Sequence, residues 1–86
     1  MSSDNLIRMA NRIGDFFESM PDRPEALEGI ASHIQKFWDP RMRQQFLDVL
    51  DGPGADGVTD VVRAAVERHR DMLLPAAVRA GNGKPG

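Results

Sequence analysis

Residues 33–43 read His-Ile-Gln-Lys-Phe-Trp-Asp-Pro-Arg-Met-Arg, and this stretch decides the fold because it ends one helix and begins another. A residue that precedes proline avoids the α-helical region, so we expect a break in the backbone at Asp39. Asp39 can then cap the free amides of a following helix whose first position is Pro40. The stretch therefore predicts a rigid corner between two helices.

Apolar residues recur at spacings of three and four on both sides of this corner, as on one face of an amphipathic helix. We expect helices over about 4–19, 22–38, 40–50 and 58–74. Ser3 or Asp4 can cap the first helix, and Pro21 ends it. Asp22, with Pro24 shortly after it, predicts a capped start of the second helix at a corner after Pro21. The apolar stripes that predict the four helices are Leu6, Ile7, Ala10, Ile13, Phe17 and Met20; Leu27, Ile30, Ala31, Ile34 and Trp38; Met42, Phe46, Val49 and Leu50; and Val58, Val62, Ala65, Val66, His69 and Leu73.

The rest of the chain reads as connections and a tail. Segment 51–57 is rich in glycine and predicts a loop. Gly29 lies within the second predicted helix, where glycine is costly, and a close approach between helices would explain it. The chain has 86 residues and no long alternation of apolar and polar positions. We therefore expect an all-α fold, a small compact array of about four short helices: one domain over 1–75 and a disordered tail over 76–86.

Residues that carry chemistry are few. The chain has no cysteine, and His33 and His69 each lack a second ligand one turn away, so we expect no metal site. The acidic side chains fall on polar helix faces, and no catalytic or cofactor-binding residue is expected. A net charge of −2 argues against a nucleic-acid partner. With no apolar run long enough to cross a bilayer and no basic start typical of a signal peptide, we expect a cytoplasmic protein.

The corner at residues 33–43 gives the strongest indication of a binding surface, and adjacent aromatic residues give a second one. Neighbouring helical positions point about 100 degrees apart, so Phe16 and Phe17, or Phe37 and Trp38, rarely share one core face. At least one of a pair is then exposed, as at many partner sites. Tryptophan, arginine and methionine are enriched at interfaces and cluster at the corner. We therefore predict a partner-binding surface at Phe37, Trp38, Asp39, Pro40, Arg41, Met42 and Arg43, although a core role for the aromatic residues is an open alternative.

Two segments carry a resemblance to a known family. Residues 6–13, Leu-Ile-Arg-Met-Ala-Asn-Arg-Ile, followed by Phe16 and Phe17, resemble the opening of the delta subunit of NAD-dependent formate dehydrogenase of the molybdenum or tungsten type. Residues 33–43 look like the most distinctive segment of that family, and the block over 37–43 within it is fairly specific. The resemblance extends from about Leu6 to Leu73 and is weaker in the fourth helix.

The resemblance implies a role in a cytoplasmic complex that oxidises formate and reduces NAD. In such complexes the alpha subunit holds a molybdenum or tungsten bis-pterin guanine dinucleotide and iron-sulfur clusters, while FMN and NAD belong to the beta and gamma subunits. The delta subunit is non-catalytic, associates with the alpha subunit and supports its assembly or maturation. Two alternatives stay open: a chaperone that leaves once the metal cofactor is inserted, and, with less support, a small helical DNA-binding regulator.

Overall fold

The computed structural model describes residues 2–75, which form helices joined by short connections and contain no strand. The all-α prediction is confirmed for this part of the chain, and the predicted tail over 76–86 lies outside it. The elements are α1 (Ser3–Glu18), α2 (Arg23–Phe37), α3 (Pro40–Leu50), a 3-10 helix (Pro53–Gly57), α4 (Asp60–Arg68) and α5 (Arg70–Leu73).

Side-chain caps explain where the first three helices begin. The Asp39 carboxylate accepts a hydrogen bond of 2.9 Å from the backbone N–H of Met42, and Asp22 caps α2 in the same way. Both caps were predicted from the sequence. The cap of α1 is Ser2 rather than Ser3 or Asp4, because Ser3 is already helical whereas Ser2 has an extended backbone.

The core is built from one face of each helix, largely as the apolar stripes predict. Trp38, at the end of α2, packs edge-to-face on Phe46 of α3, with ring centroids 5.4 Å apart. This pair therefore joins the two sides of the Asp39–Pro40 corner within the core. The buried hydrophobic residues are Leu6, Ala10, Ala26, Leu27, Ile30, Ala31, Ile34, Trp38, Phe46, Leu47, Val58, Val61, Val62, Ala65, Val66 and Leu73.

The start of α4 differs from the prediction, which placed Val58 inside a helix. Val58 and Thr59 have extended backbones, and α4 begins at Asp60. The amide side chain of Asn11 explains the difference: its Nδ2 donates to the carbonyl of Gly57 and its Oδ1 accepts from the N–H of Thr59. These bonds tie the connection to α1. The preceding segment, predicted as a loop, contains the short 3-10 helix.

The single helix predicted over 58–74 is broken at His69, whose φ and ψ are −123° and 34°. After the break, α5 packs against α2, α3 and α4, and Leu73 becomes fully buried. The guanidinium of Arg43 donates to the carbonyls of Met72 and Leu73, each at 3.4 Å. The break at His69 therefore coincides with the burial of Leu73 and with hydrogen bonds to the carbonyls of Met72 and Leu73.

Gly14 allows α1 and α4 to pack closely. A Cβ atom at this position would lie 2.6 Å from Cγ2 of Val62 and 3.0 Å from Cγ1 of Val61. Both valines are buried, and the branched side chain of valine has little rotamer freedom in a helix. The glycine is therefore required by packing, although it is unfavourable for helix formation.

We expect Gly14→Ala to lower the free energy of unfolding by about 1–2 kcal/mol, because overpacking exceeds the gain in helix propensity. Urea denaturation followed by circular dichroism measures the change. The control is Gly57→Ala, whose new Cβ would lie at an ordinary contact distance of 3.5 Å from Cγ2 of Ile7 and should cost little. Equal stability of the two variants would contradict the packing role assigned to Gly14.

Candidate binding surface

The candidate site begins with two phenylalanine side chains that the fold leaves in solvent. Phe16 on α1 is 73% exposed and Phe37 on α2 is 72% exposed. Their neighbours in sequence, Phe17 and Trp38, point toward the core, and Trp38 is only 5% exposed. The prediction that adjacent aromatic residues leave one member exposed is confirmed for both pairs.

The aromatic side chains form a continuous row across α1 and α2. The ring of Phe16 contacts Phe17 edge-on at a centroid distance of 5.1 Å. Phe17 lies 6.4 Å from the ring of His33, and His33 lies 4.7 Å from Phe37. The two exposed phenylalanines, distant in sequence, therefore belong to one surface.

Gly29 allows the row to lie close to α2. A Cβ atom at this position would lie 2.5 Å from Cε1 of Phe17. The expectation that Gly29 marks a close approach is confirmed, although the approaching group is the ring of Phe17 rather than the backbone of another helix.

A shallow groove follows this row. Two adjoining depressions of about 310 and 410 Å³ share Arg12, Ile13 and His33 in their walls. A third, of about 250 Å³, continues along α1 past Arg8 to Asn5. We call the surface of the three depressions the aromatic groove; it consists of Asn5, Arg8, Met9, Arg12, Ile13, Phe16, Phe17, His33, Phe37, Trp38 and Met42.

The seven residues predicted to bind a partner divide into two groups. Phe37 and Met42 line the aromatic groove, and Pro40 and Arg41 are exposed. The other three have contacts within the fold that account for them: Trp38 in the core, although one edge of it reaches the groove, Asp39 in the cap of α3 and Arg43 on the carbonyls of α5. A docking role for the exposed members stays a prediction.

Sequence reasoning did not assign the α1 side of the groove to the site. Met9, Ile13 and Phe16 are spaced by four and three residues, as expected for a second apolar stripe beside the core stripe of Leu6 and Ala10. Ile13 was instead predicted to belong to the core stripe of the first helix. When two apolar stripes lie side by side on a helix, the sequence alone does not show which of them the other helices cover.

The charges around the groove are of one sign. Arg8 and Arg12 line its α1 wall and are exposed, and no carboxylate lines any of the three depressions. A depression between α2 and α4 differs, because Asp60 and Glu67 lie there beside Arg63 and Arg68. The groove is therefore a local apolar and cationic region on a chain whose net charge is −2.

The open, apolar character of the groove suits macromolecular contact. Within residues 2–75 no cluster of histidine, cysteine, aspartate or glutamate could hold a metal ion. The groove is open, and exposed aromatic and methionine side chains of this kind are typical of protein interfaces. In the same part of the chain, no helix has both the length and the apolar character needed to cross a membrane.

Comparison with known proteins gives one result. The family model of the NADH-dependent formate dehydrogenase delta subunit, FdsD, matches residues 5–66, which include α2, α3 and most of α1 and α4. All residues of the aromatic groove lie within the match. No curated protein matches the chain, and no solved structure matches it.

Proposed function

Because the chain belongs to the delta-subunit family of NADH-dependent formate dehydrogenases, we propose that it is a non-catalytic subunit that binds the catalytic alpha subunit and supports its assembly or maturation. The observation that carries this proposal is that Phe16 and Phe37 are both exposed and lie on the same surface. Two largely exposed phenylalanines on one surface are costly for a small protein in water, and contact with a partner removes that cost.

The size of the chain supports a role that depends on another protein. A protein of 86 residues buries a smaller fraction of its surface on folding than a larger domain does, so its stability is modest. Binding to the folded state adds stability by mass action. Docking onto the alpha subunit would therefore stabilise the helices as well as cover the groove.

We also propose that the redox groups of the complex lie in the other subunits. Iron-sulfur clusters are held by several cysteine thiolates, and this chain has none. The molybdenum or tungsten cofactor and the clusters are assigned to the alpha subunit, and FMN and NAD to the beta and gamma subunits. Contact with beta and gamma is then made through alpha, and the complex is cytoplasmic.

The test is co-expression of the tagged chain with the other subunits, followed by affinity purification and size-exclusion chromatography. We expect the alpha subunit to co-purify with the chain. A chain that never associates with alpha, while alpha, beta and gamma assemble with full activity, would contradict the proposal.

Stoichiometry separates a permanent subunit from the alternative, a chaperone that leaves after maturation. We expect the chain to be retained in the purified, active complex, as measured by native mass spectrometry. Active complex without the chain, combined with immature alpha subunit that retains it, would instead identify the chaperone.

A further inference from the structure

The aromatic groove has the dimensions of a site for a single helix. It extends along α1 from Asn5 to Phe16, and a rise of about 1.5 Å per residue makes this about 16 Å, or three helical turns. Ile13 and Phe16 line the α1 wall, and His33 and Phe37 line the α2 wall. Grooves between two helices bind the apolar face of a third through side chains at helical spacing.

The groove also selects the charge of its occupant. Its charged side chains are Arg8 and Arg12, and within residues 2–75 neither arginine forms an ion pair. Guanidinium groups pair with carboxylates through parallel hydrogen bonds. An occupant with carboxylates beside its apolar face would satisfy these two side chains, whereas a basic occupant would be repelled.

We propose that the aromatic groove binds an acidic amphipathic helix of the catalytic subunit, with apolar side chains between Phe16 and Phe37 and carboxylates on Arg8 and Arg12. This inference rests on the proposed function and names the chemistry of the contact. A second copy of the chain fits less well, because a two-fold interface centred on the groove would bring like arginines together. A lipid surface fits less well because the site is concave.

The test compares two charge reversals that leave the net charge of the variants identical. Arg12→Glu alters the groove, and Arg68→Glu alters an equally exposed position in the depression between α2 and α4. We expect Arg12→Glu to weaken binding to the purified catalytic subunit about tenfold or more, Arg12→Lys, which keeps the charge but not the guanidinium fork, to weaken it less, and Arg68→Glu to have little effect. Surface plasmon resonance gives the dissociation constants.

Salt dependence provides a second measurement. Binding of the wild-type chain should weaken as the sodium chloride concentration rises, and Arg12→Glu should remove part of this dependence. Hydrogen–deuterium exchange on the catalytic subunit should then show protection by the chain of a helical segment that carries both apolar and acidic residues.

The outcomes separate this inference from the proposed function. Failure of the wild-type chain to bind the catalytic subunit would overturn both. Tight wild-type binding with Arg12→Glu equal to Arg68→Glu, or protection of a basic or extended segment, would overturn the inference alone. Binding to phosphatidylserine vesicles that depends on Arg12 and exceeds binding to the catalytic subunit would assign the groove to a lipid surface and also overturn it.

Discussion

Trp38→Ala should lower the free energy of unfolding by about 3–5 kcal/mol, the usual cost of deleting a large buried aromatic side chain. Trp38 is only 5% exposed, and its ring packs edge-on against Phe46 at 5.4 Å. Small domains have a total stability of roughly 5–15 kcal/mol, so the variant should be largely destabilised. Circular dichroism during urea denaturation measures the effect, since the chain has a single tryptophan and the variant loses its fluorescence signal.

Trp38→Phe is the matched control, because it keeps an aromatic ring beside Phe46 and should cost clearly less than the alanine variant. If Trp38→Ala lowers the free energy of unfolding by less than about 1 kcal/mol, Trp38 is not an important part of the core. Trp38 was predicted from the sequence to contact a partner, with a core role as the open alternative. Its burial means that weaker partner binding by Trp38→Ala alone would not establish a direct contact.

The double variant Phe16→Ala with Phe37→Ala should weaken binding to the catalytic subunit by about 2 kcal/mol or more, which corresponds to roughly thirtyfold. Both side chains are more than two thirds exposed in the free chain. Their removal should therefore change the unfolding free energy by only about 0.5 kcal/mol. Measurement of affinity and stability on the same protein samples tests both parts.

The matched control is the double variant Glu67→Ala with Arg68→Ala, which removes two exposed side chains from the depression between α2 and α4. It should bind like the wild type. Binding that is unaffected by the phenylalanine substitutions but weakened by the control pair would place the interface on the α2–α4 side.

Local sequence signals predicted most of the fold. Asp22 and Asp39 cap helices with proline in the first turn, and both corners form as expected. Such signals act over a few residues and therefore remain visible in one chain. The break at His69 and the late start of α4 are accompanied by hydrogen bonds from Arg43 and Asn11, which act across 29 and 48 positions. Nothing near His69 or Val58 in sequence reveals these contacts.

The candidate site was predicted less completely, for a related reason. Residues 37–43 contribute the side chains of Phe37 and Met42 to the groove. The adjacent aromatic residues indicated correctly that Phe16 or Phe17 would be exposed. The position of Arg12 in the wall of the groove was not predicted, because it follows from the packing of α1 beside the end of α2. Residue type and spacing indicated that a surface exists, and tertiary packing determines which side chains form it.

Site-specific photo-crosslinking within the purified complex tests the central claim most directly, since it reports which face of the chain touches the catalytic subunit. A photoreactive phenylalanine analogue replaces Phe16, Phe37 or, as the control, Glu67. We expect crosslinks to the catalytic subunit from positions 16 and 37 and none from position 67. An intact complex that crosslinks from position 67 and from neither phenylalanine position would contradict the account.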